Sequence, residues 1–343
     1  MNGIDKPQII THITKSLSYT PYCVKWIPCS AKFVVLGALQ VYELTEGDAK
    51  LIIDVEKPSS FKCGTFSHSA ISNRTLATGD FDGRLQVYDI ENPDISVYSV
   101  KAHEKIVNCI DGAGSNFGAP ELVTGSSDGI VKIWDLRQRD KPVAKIVPES
   151  GEVRDTWSVA FGNSYNDEER VVAAGYENGD IKMFDLKNMK LIFETNAKNG
   201  VVALEFDRKD IKMNKLVATC LESNFNVYDL RTYHPKKKFP AVNQKAKDNT
   251  TIWTVRHLPQ NRDIFITSGG GPGGGNYPPQ RTVKSEDDNL EGVPGTLQAI
   301  QTVNAAEQPV SSFDWSPDKQ GLCVFSAFDQ QVRVGIVTKL SGL

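Results

Sequence analysis

Residues 125–129, Gly125-Ser126-Ser127-Asp128-Gly129, satisfy G-x-S-x-G, the turn that presents the nucleophilic serine of many hydrolases. That chemistry needs a strand running into a helix, with a histidine base and an oxyanion hole close by. Here Val131-Lys132-Ile133-Trp134-Asp135 follows, alternating apolar and polar residues as a short strand does. Asp128-Gly129 therefore reads as a hairpin turn between two strands, and Ser127 falls in that turn rather than at an elbow.

Other reactive residue types are equally scattered. The histidines His12, His68, His103, His234 and His257 include no pair at metal-ligand spacing. The six cysteines, Cys23, Cys29, Cys63, Cys109, Cys220 and Cys323, contain no C-x-x-C and lie far apart, which argues against a zinc site and a secreted disulfide framework. Reduced thiols are expected, and the sequons at Asn73 and Asn249 are then chance matches. The run GGGPGGGNYPPQ (269–280) has glycines suited to cradling phosphate, but no Lys-Ser/Thr and no helix start follow it, so a flexible loop is expected. No catalytic residue, metal or cofactor is expected.

With 39 basic and 42 acidic residues the net charge is −3, which gives no footprint for nucleic acid or an anionic membrane. The basic run Lys236-Lys237-Lys238 reads as a solvated loop. The start, MNGIDKPQIITHITKS, lacks an apolar core, and no stretch approaches the roughly 18 apolar residues of a membrane helix, so a cytoplasmic protein is expected.

The residues that could do chemistry sit in a repeat. Leu39–Glu43, Leu85–Asp89, Val131–Asp135, Ile181–Asp185 and Phe225–Asp229 each alternate and end in an aromatic followed by an acid. The steps from 88 to 134, 184 and 228 approximate the 40–45 residues of a four-stranded propeller blade. A partner strand and turn precede four of these ends (76–83, 122–129, 171–180 and 216–224). A second register pairs a small residue with a bulky one three positions on: Cys23/Trp26, Cys63/Phe66, Ser158/Phe161, Ala203/Phe206, Thr254/His257 and Ser312/Trp315, with Cys109/Gly112 as a weaker member. That predicts seven blades in an all-β propeller spanning residues 1–343. An N-terminal strand, Pro7 to His12, would close the ring on the last strand, Val332 to Val337, so that truncating either end unfolds it.

Two repeats depart from the pattern. Repeat one passes from Gly37 to Leu39 almost without a turn, and repeat six runs from Ile264–Ser268 into the glycine-rich stretch where a third strand should stand. Either these repeats are eroded or residues that complete them are missing from the sequence as it stands. Residues 269–296 are expected to form a flexible Gly-rich and acidic insertion, with Ser285-Glu286-Asp287-Asp288 as a docking or regulatory segment.

His103, Thr124, Asp128 and Trp134 stand at the spacing of the His-Ser/Thr-Asp-Trp hydrogen-bonded tetrad of WD-repeat blades. Beyond that class, the stretches DKPQIITHI, PCSAKFVVLG, LATGDFDG, PVSSFDWSPDKQGLCVFSAFDQQVRV and the whole block 157–219 resemble the WD-repeat dynein axonemal assembly factors. The resemblance covers nearly all of the chain. It implies a non-enzymatic adaptor in cytoplasmic preassembly of ciliary dynein arms, working with axonemal dynein heavy chains and a co-chaperone complex of RuvB-like ATPases, prefoldin-like subunits and a TPR adaptor. It further implies a monomer within that larger complex.

A binding face is expected where the inner strands begin. The positions just before the small slot are Tyr22, Lys62, Asn108, Trp157, Val202, Trp253 and Ser311. Of these, Trp157 and Trp253, with nearby Arg154 and Arg256, are the expected partner anchors, because Trp, Tyr and Arg dominate protein interfaces. The competing reading of the two tryptophans is packing between blades. A propeller can equally serve a ubiquitin ligase or a chromatin complex, since fold does not fix function. A propeller enzyme would need acid–base or metal groups on the inner strands, where Cys, Ser, Ala and Thr predominate.

Overall fold

Short alternating strands expose two apolar faces that a lone sheet cannot bury, so each repeat must pack against its neighbours. The computed structural model describes residues 6–114, 121–138, 140–148, 152–245, 250–269, 273–274, 281–284 and 290–340. After β1 (Ile9–Ser16), the first meander is β2 (Cys23–Trp26), β3 (Lys32–Leu36), β4 (Leu39–Thr45) and β5 (Asp48–Val55). The second is β6 (Phe61–Thr65), β7 (Thr75–Asp80), β8 (Arg84–Asp89) and β9 (Ser96–Lys101), and the third β10 (Val107–Gly112), β11 (Glu121–Ser126), β12 (Val131–Asp135) and β13 (Ala144–Ile146). Then come β14 (Thr156–Gly162), β15 (Val171–Tyr176), β16 (Asp180–Asp185) and β17 (Lys190–Asn196), and β18 (Val201–Phe206), β19 (Lys215–Cys220), β20 (Asn224–Asp229) and β21 (Ala241–Lys245). A shorter sheet holds β22 (Thr254–Leu258), β23 (Asn261–Ser268) and β24 (Gly273–Gly274), and a separate hairpin holds β25 (Arg281–Lys284) and β26 (Leu290–Val293). The last sheet is β27 (Val310–Trp315), β28 (Leu322–Ala327) and β29 (Gln331–Val337), to which β1 adds as the outer strand.

All pairing is antiparallel, and the first strand of each sheet contacts the first strand of the next around a ring. The apolar core lies between sheets. Ala173, Met183 and Phe193 meet Leu204, Phe206 and Leu216 across one such seam, and Trp26 and Phe33 meet Val324 and Val334 across the seam between first and last sheets. The expected closure is present: β1 pairs with β29 from Ile9↔Val337 to Ser16↔Gln331, with a bulge between Thr11 and Ile13.

Among the described residues six four-stranded blades are present rather than the seven expected. The sheet built on β22 has two full strands and a two-residue third. In the sequence, alternation stops at Ser268: the glycines and prolines that follow bring no alternating side chains to bury, and proline withholds a ladder N–H. Leu297, Ile300 and Ala305 from the following segment pack beside this sheet. Blade one, by contrast, is complete despite its short turn. Leu36 pairs with Leu39, and Gly37 turns the chain at φ 145, where a Cβ would strike the Thr20 carbonyl oxygen at 2.6 Å. The Ser285–Asp288 segment and most of the glycine-rich run lie outside the described residues. Lys236–Lys238 form an exposed turn whose Lys236 and Lys237 amides donate to His234 Nδ1, and Lys237 pairs with Glu291 of β26 at 2.6 Å.

The four residues picked out by spacing in blade three do bond to one another. Trp134 Nε1 donates to Thr124 Oγ1 at 2.9 Å, so the threonine hydroxyl has its own proton to give to His103 Nε2, at 2.8 Å. The ring proton is therefore on Nδ1, which donates to Asp128 at 3.0 Å. Burial holds His103 below its ordinary pKa despite the pull of Asp128, so the ring is neutral. Burial works against ionised Asp128, but His103 and the Ile130 and Glu104 amides hold its carboxyl down at about 2. Ser127, the serine of the hydrolase-like pattern, accepts from Asn108 Nδ2 at 2.9 Å in the hairpin.

Deleting residues 6–16 removes the strand that covers the β29 edge, and the expected result is loss of a cooperative thermal transition in circular dichroism. Acid should destabilise the fold in two stages. His68 and His103 are buried neutral, His68 with its pKa lowered to about 4 by burial. The stability His68 contributes above pH ~6.5 is then lost as pH falls toward 4, at about 1.4 kcal/mol per pH unit, and His103 adds a loss of the same sign. Asp128 adds a loss between pH ~4 and ~2. Urea midpoints at stepped pH should show a shallower fall between pH 6 and 4 in His68→Gln than in the wild type.

Candidate functional site

The innermost strands surround an axial cavity of about 790 Å3. Its walls are the small slot: Cys23, Cys63, Cys109, Ser158, Ala203, Thr254 and Ser312 all line it. These residues also reach the neighbouring blade. Ser158 Oγ donates to the Val201 carbonyl at 3.1 Å, Cys63 Sγ contacts the Val107 carbonyl at 3.5 Å, and Ser312 Oγ accepts from the Val24 amide at 3.0 Å. Burial pushes the Cys63 and Cys109 thiols above their ordinary pKa, so they stay protonated and act as small packing groups.

A β-bulge forms the mouth. In five innermost strands the register with the second strand skips one residue, between Phe61 and Cys63, Val107 and Cys109, Thr156 and Ser158, Val201 and Ala203, and Val310 and Ser312. The residues skipped are Lys62, Asn108, Trp157, Val202 and Ser311, five of the expected mouth positions. A bulge re-aims its side chain, and here it aims it at the axis. Tyr22 and Trp253 hold the equivalent places, their amides donating at 2.8 Å to the Leu36 and Ser268 carbonyls. All seven line the cavity and are half-buried. Tyr22 packs on Phe81 with ring centroids 5.1 Å apart, and Trp253 meets Phe328 edge-on at 5.2 Å. Trp157 lies so close to the Gly200 backbone that a Cβ there would come within 2.4 Å of its ring.

The two arginines do not join them. Arg154 is exposed, pairs with Glu152 at 2.6 Å and does not line the cavity. Arg256 lines it at the opposite end, because three residues along a strand is about 10 Å. There it belongs to a ring of charge. Lys25 pairs with Asp314 at 3.3 Å, Arg256 with Asp314 at 3.8 Å and with Glu205 at 3.2 Å, and Glu205 with His257 at 2.9 Å. Burial opposes the charge on both Arg256 and Glu205. Even so, Glu205 and Asp314 hold the guanidinium above its ordinary pKa, while His257 and Arg256 hold the Glu205 carboxyl below its own. Lys209, from the loop after β18, reaches past blade four to Asp111 and the Gly112 carbonyl at this end of the cavity.

Sequence reading missed this floor. Its signal was available, since Lys25, Asp111, Glu205, Arg256 and Asp314 occupy the same place, two residues after the small slot, in five repeats. Three of the acids also bind backbone. Asp111 accepts from the Phe161 amide at 2.9 Å, Glu205 from His257 at 2.6 Å and Asp314 from Trp26 at 2.9 Å, each on the next innermost strand. Among the described residues, no group of three or more His, Cys, Asp or Glu is placed to hold a metal, and no helix is long and apolar enough to cross a membrane.

A ring of antiparallel meanders around an axial channel, with a His–Thr–Asp–Trp set in blade three, defines a WD-repeat β-propeller, and the WD domain, G-beta repeat family matches residues 95–135. The chain is 57% identical to dynein axonemal assembly factor 10 of Xenopus laevis, covering 99% of both chains. It is 55% identical to that of Homo sapiens over 99% of both, and 51% identical to that of Chlamydomonas reinhardtii over 98% of both. The chain belongs to the dynein axonemal assembly factor 10 family.

The contrast between the two arginines is measurable. Arg256→Ala takes one partner from each of two carboxylates, Glu205 and Asp314, that are partly screened by solvent, and should cost about 1–3 kcal/mol in urea unfolding. Arg154→Ala should change stability by no more than about 0.5 kcal/mol.

Proposed function

We propose that the chain is a non-enzymatic scaffold in the cytoplasmic preassembly of axonemal dynein arms, working as a monomer within a larger complex. The observation that carries this reading is end-to-end likeness to proteins named dynein axonemal assembly factor 10, from an alga to vertebrates. Within that family we take the chain as the counterpart of Monad (WD repeat-containing protein 92), which the stretches quoted above resemble. The sheet built on β22 then counts as a reduced seventh blade, because β22 occupies the place in the ring between β18 and β27.

Channel chemistry supports a binding role. The slot thiols are kept protonated by burial, the floor charges are committed to one another, and Ser127 bonds to an amide rather than a base. The mouth instead presents half-buried aromatic rings around a cavity, the surface type that anchors protein partners. Its partners on this reading are axonemal dynein heavy chains and a co-chaperone complex of RuvB-like ATPases, prefoldin-like subunits and a TPR adaptor.

Affinity purification of the tagged chain from cells building cilia tests this. Dynein heavy chains and RuvB-like ATPases are expected with the wild type and lost from Trp157→Ala/Trp253→Ala. Phe193→Leu, a destabilised control on the outer strand of blade four, should keep them. Recovery of ubiquitin-ligase or chromatin subunits instead would refute the assembly role.

A further inference from the structure

The two ends of the channel treat charge differently. At the floor Lys25, Arg256 and Lys209 each have a carboxylate beside them. At the mouth the seven ring positions hold one charge, Lys62, and among the described residues no carboxylate lies within ion-pairing distance of it. Its ammonium sits 4.8 Å from the centroid of the Tyr22 ring. Burial holds its pKa below the ordinary lysine value. A desolvated cation without a counter-ion is costly unless something supplies one, and an aromatic face offsets only part of that cost.

The cavity also sets the shape of what enters. Its floor is lined by paired charges, so an apolar side chain is better matched at the mouth. Its walls are small residues, leaving room for a side chain to descend between the aromatic rings. One cation in a chain of net charge −3 does not suit a polyanion such as nucleic acid. It suits a single carboxylate flanked by apolar groups.

We propose that the channel mouth takes an acidic segment of a partner protein, a carboxylate meeting Lys62 while neighbouring apolar side chains pack on Tyr22, Trp157 and Trp253. This rests on the scaffold reading for the partner's identity but not for the chemistry of the site. Lys62 provides selectivity, since a partner offering an amide or a cation leaves its charge uncompensated. The rings provide contact area.

Selection from a random dodecapeptide display library on the purified full chain tests the proposal. Enriched peptides are expected to carry Asp or Glu beside Trp, Phe or Leu. Fluorescence anisotropy of the labelled consensus peptide should show at least tenfold weaker binding when its acid becomes the amide. Lys62→Met should erase that difference and Lys62→Arg retain it, with thermal midpoints checked for both. The proposal is overturned if no peptide is enriched, if the enriched set is not acidic, or if Lys62→Met keeps the preference. Failure of the two readings is distinguishable. Selection of acidic peptides without dynein chains in the cellular purification sinks the assembly role alone, whereas dynein recovery undiminished by Lys62→Met sinks the mouth site alone.

Discussion

Every innermost strand of this ring has one free edge, and an unpaired row of amides facing a channel is the constraint that the rest of the structure answers. The answer comes from the neighbouring blade. Asp111, Glu205 and Asp314 each accept an amide proton from the next strand, at Phe161, His257 and Trp26, and Ser312 does the same for Val24. These contacts turn separate sheets into a ring. They also bring acids to one end of the channel, where the cations Lys25, Arg256 and Lys209 then gather. The charged floor is thus a by-product of satisfying backbone. The bulges at the other end complete the division, each inserting one extra residue into the ladder and aiming Lys62, Asn108 and Trp157 inward.

Incompleteness is tolerated in one sheet because burial is shared between neighbours. Among the described residues the sheet of β22 and β23 lacks the outer layers of its companions, yet Val255 and Phe265 still pack against Val217, Phe225 and Val227 of the preceding blade. On its other flank a cavity of about 200 Å3 remains, lined by Ile264, Ile266, Ile300 and Phe325 among others. A blade in a ring needs its inner strands for closure and its outer ones mainly to widen the seam.

Much of this fold is legible in sequence because its units recur. The aromatic-acid strand ends become β4, β8, β12, β16 and β20, and the return of the chain's start to its end follows from the phase of the repeat. The tetrad is legible because its donors and acceptors match one to one along the chain from Trp134 through Thr124 and His103 to Asp128. The mouth ring is legible by position, although nothing in the sequence marks the bulge that orients it. What alternation could not give is direction along the axis, which is why Arg256 looked adjacent to Trp253 when a strand's length separates their roles. Nor did it disclose Lys209, whose partner Asp111 stands two blades back. Contacts from a loop across a ring have no local sequence signature. The brevity of the β22 sheet among the described residues has its counterpart in sequence as an absence of alternating residues after Ser268, but counting inner slots alone suggested a complete blade.

Because β1 supplies the outer strand of the sheet that holds β27 to β29, the molecule is a clasp whose hook is synthesised first and whose eye comes last. At ribosomal speeds of about 5–20 residues per second, the hook waits on the order of tens of seconds. Throughout that interval the growing protein carries an open seam at each end, with Trp26 and Phe33 lacking the valines that later cover them. A factor that itself serves assembly therefore passes through a stage in its own birth when it, too, needs shielding.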